Sequence, residues 1–144
     1  MKLKLALIGS DISHSKSEEV YRKLLFDKQV ELDYQLLDCS SSRHIPSLKQ
    51  LKSRFDGVSI TSPYKDHFLA EVQQESLVSG MAVESINCLR GDADGLVTGT
   101  STDLPAVKQL LFQQIEKMLS PVIIILGDGA MSKLIEQICL ANPN

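Results

Sequence analysis

Short apolar runs of strand length alternate with segments of helical spacing through the first two thirds of this 144-residue chain. Buried strands are predicted at 3–8 and 57–60, and a further strand is predicted at 31–37, where apolar and polar residues alternate. Two further strands are predicted at 83–90 and 96–99, on either side of the Gly- and Asp-rich turn 91–95. Strands that alternate with helices predict an α/β fold with a mostly parallel sheet flanked by helices, and the hairpin adds an antiparallel element.

Helices are predicted where apolar residues recur at three- and four-residue spacing. The segment 17–27 carries Val20, Leu24 and Leu25 on one face, and 45–55 shows a similar spacing. The segment 65–78 is also predicted to be helical. These helices supply the layers that an open parallel sheet needs on its faces.

A second unit is predicted to begin at Asp103. An apolar stripe from Leu104 to Met118 predicts one long helix, and the apolar run 121–126 predicts a strand. The sequence Gly127-Asp128-Gly129-Ala130-Met131-Ser132 and a predicted helix at 133–140 follow. Strand, Gly-x-Gly-x-x-small and helix form the layout of a dinucleotide-binding turn. Fewer residues follow Pro121 than the roughly 30 that one βαβ unit needs, so we expect an incomplete dinucleotide-binding unit.

Composition excludes several classes of function. The formal net charge of −3 provides no basic surface for nucleic acid, and no apolar stretch reaches membrane-spanning length. Cys39, Cys88 and Cys139 are widely spaced, which argues against disulfides and zinc and favours a reducing compartment. The histidines have no metal-ligand spacing, and the N-terminus does not read as a signal peptide. We therefore expect a cytoplasmic protein without a metal.

A single lysine, Lys65, ends the loop that follows the strand predicted at 57–60. The carboxyl ends of strands are where open α/β sheets bind ligands. The pKa of a lysine falls readily on burial, which suits proton transfer near neutral pH. A solvated loop lysine is the alternative interpretation of the same residue.

Four motifs stand in a defined order: Ile8-Gly9 with His14-Ser15-Lys16-Ser17, then Ser59-Ile60-Thr61-Ser62-Pro63-Tyr64-Lys65, then Glu84-Ser85-Ile86-Asn87-Cys88, then Gly99-Thr100-Ser101-Thr102-Asp103. In this order and spacing they resemble the shikimate dehydrogenase family, from about Leu5 to Leu126. The resemblance implies a substrate-binding domain at 1–102, and a linking helix with the start of a dinucleotide-binding domain at 103–144. The chain departs from the family pattern at Glu18, Ser59, Tyr64, Ser101, Asp128 and Met131.

The resemblance also implies roles for individual residues. Lys65 would be the catalytic acid–base and Asp103 its partner. The remaining residues would bind substrate or cofactor: Ser15 and Ser17 on the substrate carboxylate, Thr61 and Asn87 on the substrate, and Gly127, Gly129, Ala130, Met131 and Ser132 on the cofactor. The cofactor would be NADP, with NAD not excluded.

Each of these residues also has a purely structural interpretation. Ser15 and Ser17 fit a helix-capping box with Glu18, and Asp103 is favourable at the start of any helix. Thr61 and Asn87 are ordinary residues at strand ends.

The expected function is the NADPH-linked reduction of 3-dehydroshikimate to shikimate in aromatic amino-acid biosynthesis, with the chain inactive alone. The alternatives are a dehydrogenase for quinate or another ring acid, and a non-catalytic domain that binds a ring acid. The expected partner is a small-molecule substrate, with no nucleic acid and no membrane, in a monomer or homodimer.

Overall fold

The computed structural model of the protein describes residues 1–92 and 96–142. The strands are β1 (Lys2–Gly9), β2 (Glu31–Asp38), β3 (Gly57–Ile60), β4 (Gln73–Glu75), β5 (Cys88–Gly91) and β6 (Val97–Thr100). The α-helices are α1 (Ser17–Leu25), α2 (Leu48–Arg54), α3 (Asp103–Ile115) and α4 (Ala130–Ala141). Residues 93–95 of the predicted turn 91–95 lie outside the described residues.

The strands in the described residues form one mixed sheet in the order β2-β1-β3-β5-β6-β4. β1 pairs in parallel with β2 and β3, and β4 pairs in parallel with β6. β5 lies antiparallel to β3 and to β6, as the predicted hairpin requires. The sheet is flanked by helices, so the predicted α/β architecture is confirmed.

One face of the sheet carries the main core. Alternation along β1 and β3 points Ala6, Ile8, Val58 and Ile60 to this face, and all four side chains are buried. Above them pack the buried residues of α2 and of the loop that follows β3: Leu51, Phe55, Tyr64 and Phe68. Burying several large apolar side chains at about 1.5–3 kcal/mol each makes this layer the main source of stability for the sheet.

The segment 65–78 is not a helix, so this part of the prediction is wrong. It runs through successive turns to β4, which pairs in parallel with β6. Phe68, Leu69 and Val72 have helical spacing, yet the turns bring the same side chains to the main core. Pairing with an existing strand satisfies the backbone of 73–75, and a local pattern cannot reveal such a distant partner.

The run 121–126 forms no strand, although all six of its residues are among those described. Val122, Ile124 and Leu126 are 83%, 79% and 89% exposed. A strand exists through hydrogen bonds to a neighbour, and the described sheet ends at β2 and β4 without reaching this run. The strand that the apolar pattern predicts is therefore absent from the described residues.

The C-terminal helices form a second, smaller core. Leu104 of α3 and Leu134 and Ile138 of α4 pack with Met81, and all four are buried. Met81 precedes the predicted boundary at 102, so the second unit packs directly onto the first. The division at residue 102 stays a prediction. Across residues 1–92 and 96–142, no helix is long and apolar enough to cross a membrane.

Candidate functional site

The structure brings Lys65 and Asp103 together. Lys65 Nζ donates to Asp103 Oδ2 at 2.6 Å, although the residues are 38 positions apart in the sequence. The lysine side chain is 15% exposed and the aspartate 28%. Asp103 begins α3, where the helix dipole favours a carboxylate. The pair forms a charge-assisted hydrogen bond that remains partly open to a ligand.

The backbone around Lys65 is fixed by its neighbours. The Lys65 carbonyl accepts a hydrogen bond from the Ile86 amide at 2.6 Å. The buried Tyr64 hydroxyl donates to the Cys39 carbonyl at 2.6 Å, which ties the loop to the end of β2. The lysine is therefore presented by a rigid loop, whereas a solvated loop lysine would lack such anchors. The sequence pattern gave Tyr64 no role.

Asn87 holds the residue that precedes Asp103. Its side-chain amide donates to Thr102 Oγ1 at 2.9 Å, and its Oδ1 accepts from the Thr102 amide at 2.9 Å. Its backbone carbonyl accepts from Ile60 at 2.9 Å. Asn87 thus connects the end of β3 to the start of α3, beside the Lys65–Asp103 pair. Thr102 was not among the predicted site residues, because its contribution depends on this distant partner.

Thr61 lies directly beyond β3 and continues its hydrogen bonding. Its amide donates to the Ile8 carbonyl at 2.9 Å, so strand alternation places its side chain on the same face as Ser59. A Cβ on Gly9 would lie 2.5 Å from Thr61 Cγ2. Glycine is therefore required at position 9 for the Thr61 side chain to occupy this position.

Ser15 and Ser17 contact each other at the start of α1. Ser15 Oγ donates to Ser17 Oγ at 3.0 Å and accepts from the Ser17 amide at 3.2 Å. In a capping box the Glu18 carboxylate would bond back to a backbone amide at the helix start. Here it pairs with Arg22 at 2.7 Å instead. The predicted capping box does not form, and both hydroxyls stay close to the first turn of α1.

A cleft of about 340 Å³ lies between the loop that ends in Lys65 and the segment 127–132, called the glycine loop below. Lys65 lines it on one side, and Asp128, Gly129, Ala130 and Lys133 line it on the other. Its volume is within the range of small-molecule sites. The structure thus places the start of α4 beside the Lys65 side chain.

The glycine loop leads directly into the N-terminus of α4. Gly127 has φ +111°, a conformation that side-chain-bearing residues rarely adopt, and a Cβ on Gly129 would project into open space. The amides at the start of α4 therefore remain approachable by an anion. The Asp128 carboxylate borders the same cleft and would repel a phosphate.

A larger hollow of about 670 Å³ runs along α1. Ser15 borders this hollow, whereas Ser17 does not, and its charged walls pair locally, Glu18 with Arg22 and Glu19 with Lys23. Lys65 and Asp103 do not line it, so it is separate from the candidate site.

Cys39 and Cys88 are not activated as nucleophiles in this structure. Burial raises the pKa of the Cys88 thiol, and the nearby Arg90 only partly opposes this shift. Burial also raises the pKa of Cys39. A raised thiol pKa lowers the fraction of thiolate near neutral pH, which is the reverse of what a nucleophile needs. Within the described ranges, no cluster of His, Cys, Asp and Glu could hold a metal ion.

Comparison with protein families matches residues 7–89 to the family described as "Shikimate dehydrogenase substrate binding domain". This match covers more than half of the chain. It includes Ser15, Ser17, Thr61, Lys65 and Asn87, whereas Asp103 and the glycine loop lie beyond it.

Curated relatives carry the same family name. The chain is 26% identical over 132 residues to shikimate dehydrogenase (NADP(+)) of Shewanella woodyi, and this covers 89% of the chain and 47% of that protein. It is 25% identical over 137 residues to the enzyme of the same name from Bacillus licheniformis, covering 94% of the chain and 49% of that protein. The chain therefore spans about half the length of these relatives.

Solved structures share the fold. Shikimate 5-dehydrogenase from Thermus thermophilus in complex with shikimate aligns with a TM-score of 0.75 at 23% identity, covering 97% of this chain and 53% of that one. Quinate dehydrogenase from Corynebacterium glutamicum in complex with NAD aligns with the same TM-score at 20% identity, covering 97% and 51%. At these identities the similarity establishes the fold and leaves the substrate open.

Proposed function

Because the chain belongs to the shikimate dehydrogenase family, we propose that it is the substrate-binding half of an NADP-linked shikimate dehydrogenase. Such an enzyme reduces 3-dehydroshikimate to shikimate. The observation that carries the proposal is the hydrogen bond of 2.6 Å between Lys65 Nζ and Asp103 Oδ2. It joins the only two residues that the resemblance assigns to the chemistry.

Lys65 would move the proton. In the reductive direction its ammonium donates a proton from Nζ to the ketone oxygen of the ring, and in the oxidative direction the neutral amine accepts it. One ammonium N–H already bonds Asp103, so the others remain for the ligand. Asp103 would orient the ammonium and accept a hydrogen bond from the ring hydroxyl.

Thr61 and Asn87 would contact the ring near this pair, and the hydroxyls of Ser15 and Ser17 would hold the carboxylate. The amides of residues 127–132 would hold a pyrophosphate, with the Asp128 charge lowering its affinity. The nicotinamide, when bound, supplies the hydride. The curated relatives with this family name are described as NADP(+) enzymes, which favours NADP over NAD.

A dehydrogenase for quinate is the second candidate. The quinate and shikimate enzymes align with this chain at the same TM-score, so the backbone does not separate the two ring acids. Ser59 and Ser101 stand where the family carries asparagines, and Ser101 Oγ is buried and lacks a hydrogen-bond partner within residues 1–92 and 96–142. Shorter side chains at both positions favour an altered choice of ring acid.

Titration of the ¹⁵N-labelled chain with shikimate is expected to shift amide signals at Thr61, Lys65, Asn87 and Asp103. The same titration with quinate ranks the two candidates by Kd. Cyclohexanecarboxylate keeps the charge but lacks the hydroxyls, and it should bind more weakly than either. Shifts confined to charged surface residues away from Lys65 would contradict the assigned site.

Replacing both Ser15 and Ser17 by alanine is expected to weaken shikimate binding at least about 100-fold, because each of the two hydrogen bonds to a charged group contributes about 1.5–3 kcal/mol. The melting temperature should fall only slightly, since the one backbone hydrogen bond that is lost joins the Ser17 amide to Ser15 Oγ at 3.2 Å. Ser53→Ala is the matched control, because Ser53 Oγ bonds the Gln50 carbonyl on the exposed side of α2. Lower stability with unchanged affinity would make the two serines structural residues of α1.

A further inference from the structure

The hydroxyl groups of Tyr21 and Ser59 lie close together between α1 and β3, and each can form further hydrogen bonds. The Tyr21 hydroxyl lies 3.5 Å from Ser59 Oγ, at the outer limit for a hydrogen bond. Within the described residues, neither hydroxyl forms a hydrogen bond with any other side chain or with the backbone. Each hydroxyl offers one donor and two acceptor sites, so both can bind a ligand.

The position of the Tyr21 hydroxyl follows from its place on α1. Ser17 and Tyr21 are four residues apart and share one face of the helix. Long helical side chains lean toward the helix N-terminus, so the phenol extends toward the turn that carries Ser17. On the other side, Ser59 and Thr61 point to one face of the sheet. The phenol therefore lies between the serines proposed to hold the carboxylate and the threonine proposed to contact the ring.

The small side chain of Ser59 leaves room for the Tyr21 phenol. A serine reaches less far than the asparagine that the family pattern carries there, and the Tyr21 hydroxyl approaches the shortened side chain. The Tyr21 ring also packs against the Tyr34 ring, with the two ring centroids 5.7 Å apart. A supported aromatic ring positions its hydroxyl at little cost in conformational entropy.

We propose that Tyr21 is a specificity-determining residue whose hydroxyl donates a hydrogen bond to the carboxylate of the ring acid, with Ser59 orienting the phenol. This inference rests on the proposed function, because it presupposes that a ring acid binds beside Ser17 and Thr61. It adds a third hydroxyl to the two serines, from a residue that the family motifs do not include.

The test compares two ligands and two forms of the whole chain. Shikimate and its neutral carboxamide are titrated against the wild type and Tyr21→Phe by NMR. Loss of a donor to a charged group should weaken shikimate binding about 10-fold, and carboxamide binding by no more than about threefold. An equal loss for both ligands, or no loss for either, overturns the proposal.

Tyr34→Phe is the matched control. It removes the same atom from the adjoining ring, and the Tyr34 hydroxyl is buried without a hydrogen-bond partner in the described residues. Burial raises the pKa of Tyr34, and the nearby Ser17 hydroxyl opposes this shift without reaching hydrogen-bonding geometry. The control should leave the ratio of the two affinities unchanged. If it lowers shikimate binding as selectively as Tyr21→Phe, the effect arises from packing under α1 and the proposal fails.

The two levels of inference fail differently. A wild-type chain that binds neither ligand contradicts the proposed function and this inference with it. A chain in which Ser17→Ala selectively weakens shikimate binding while Tyr21→Phe does not would retain the proposed function and overturn the role of Tyr21 alone.

Discussion

Lys65→Ala is expected to lower kcat by about 10²–10⁴-fold and to change KM for shikimate far less, in a protein that joins this chain to a nicotinamide-binding half. The proton moves only in the transition state, so loss of the acid–base affects the chemical step more than substrate binding. The fusion can use the cofactor half of a curated relative, and steady-state kinetics with NADP and shikimate provide the measurement.

Lys49→Ala is the control for this prediction, because Lys49 is an exposed lysine on α2, remote in sequence from both site residues. Its kcat should match that of the parent fusion. If Lys65→Ala leaves kcat unchanged, Lys65 is a loop lysine and its bond to Asp103 is structural. If an active fusion binds shikimate but turns over quinate faster, the second candidate function replaces the first.

Phe68→Ala is expected to destabilise the chain by about 3–5 kcal/mol, which is a large part of the stability of a domain of this size. Phe68 is 1% exposed and packs in the main core, where its removal leaves a cavity between the turns and the sheet. Urea denaturation followed by circular dichroism measures the change in unfolding free energy.

Leu77→Ala in the same stretch should cost less than about 1 kcal/mol, because Leu77 is 47% exposed. If Phe68→Ala lowers the unfolding free energy as little as Leu77→Ala does, packing of Phe68 in the main core does not stabilise the turns after Lys65. The rigid presentation of the lysine would then need another explanation.

The sequence pattern predicted the elements whose apolar residues follow the period of a strand or of a helix. β1 is recognisable because apolar residues fill most of its positions, and β2 and β3 because apolar and polar residues alternate along them. α2 is recognisable because Leu48, Leu51 and Phe55 share one face. β4 has no such signal, since Gln73–Glu75 is polar and exposed and is a strand only through its pairing with β6. The apolar run 121–126 has the strongest signal in the chain and forms no strand, because strand formation requires a partner that no local pattern supplies.

In the candidate site, too, single residues could be predicted from the sequence, whereas their contacts could not. Lys65 at the end of a strand is recognisable from its position, but its contact with Asp103 closes a separation of 38 residues. Only the order of the family motifs indicated that the two residues meet. Tyr21 lies outside the four motifs, and Tyr64 and Thr102 lie inside them without an assigned role. Their contacts with Ser59, Cys39 and Asn87 arise from the tertiary fold. Reasoning from pattern alone could not have found them.

The exposed run 121–126 also affects how the chain behaves in concentrated solution. A short, uncharged segment rich in β-branched residues, with Pro121 only at its start, is the kind of sequence from which intermolecular β-structure grows. This run is not paired in the described sheet, and a second chain would offer its backbone hydrogen bonds together with burial of the isoleucines. The nearest charged residues in the sequence are Lys117 before the run and Asp128 after it, so little repulsion opposes such contact. These six residues are therefore expected to lower the concentration at which the chain stays dispersed.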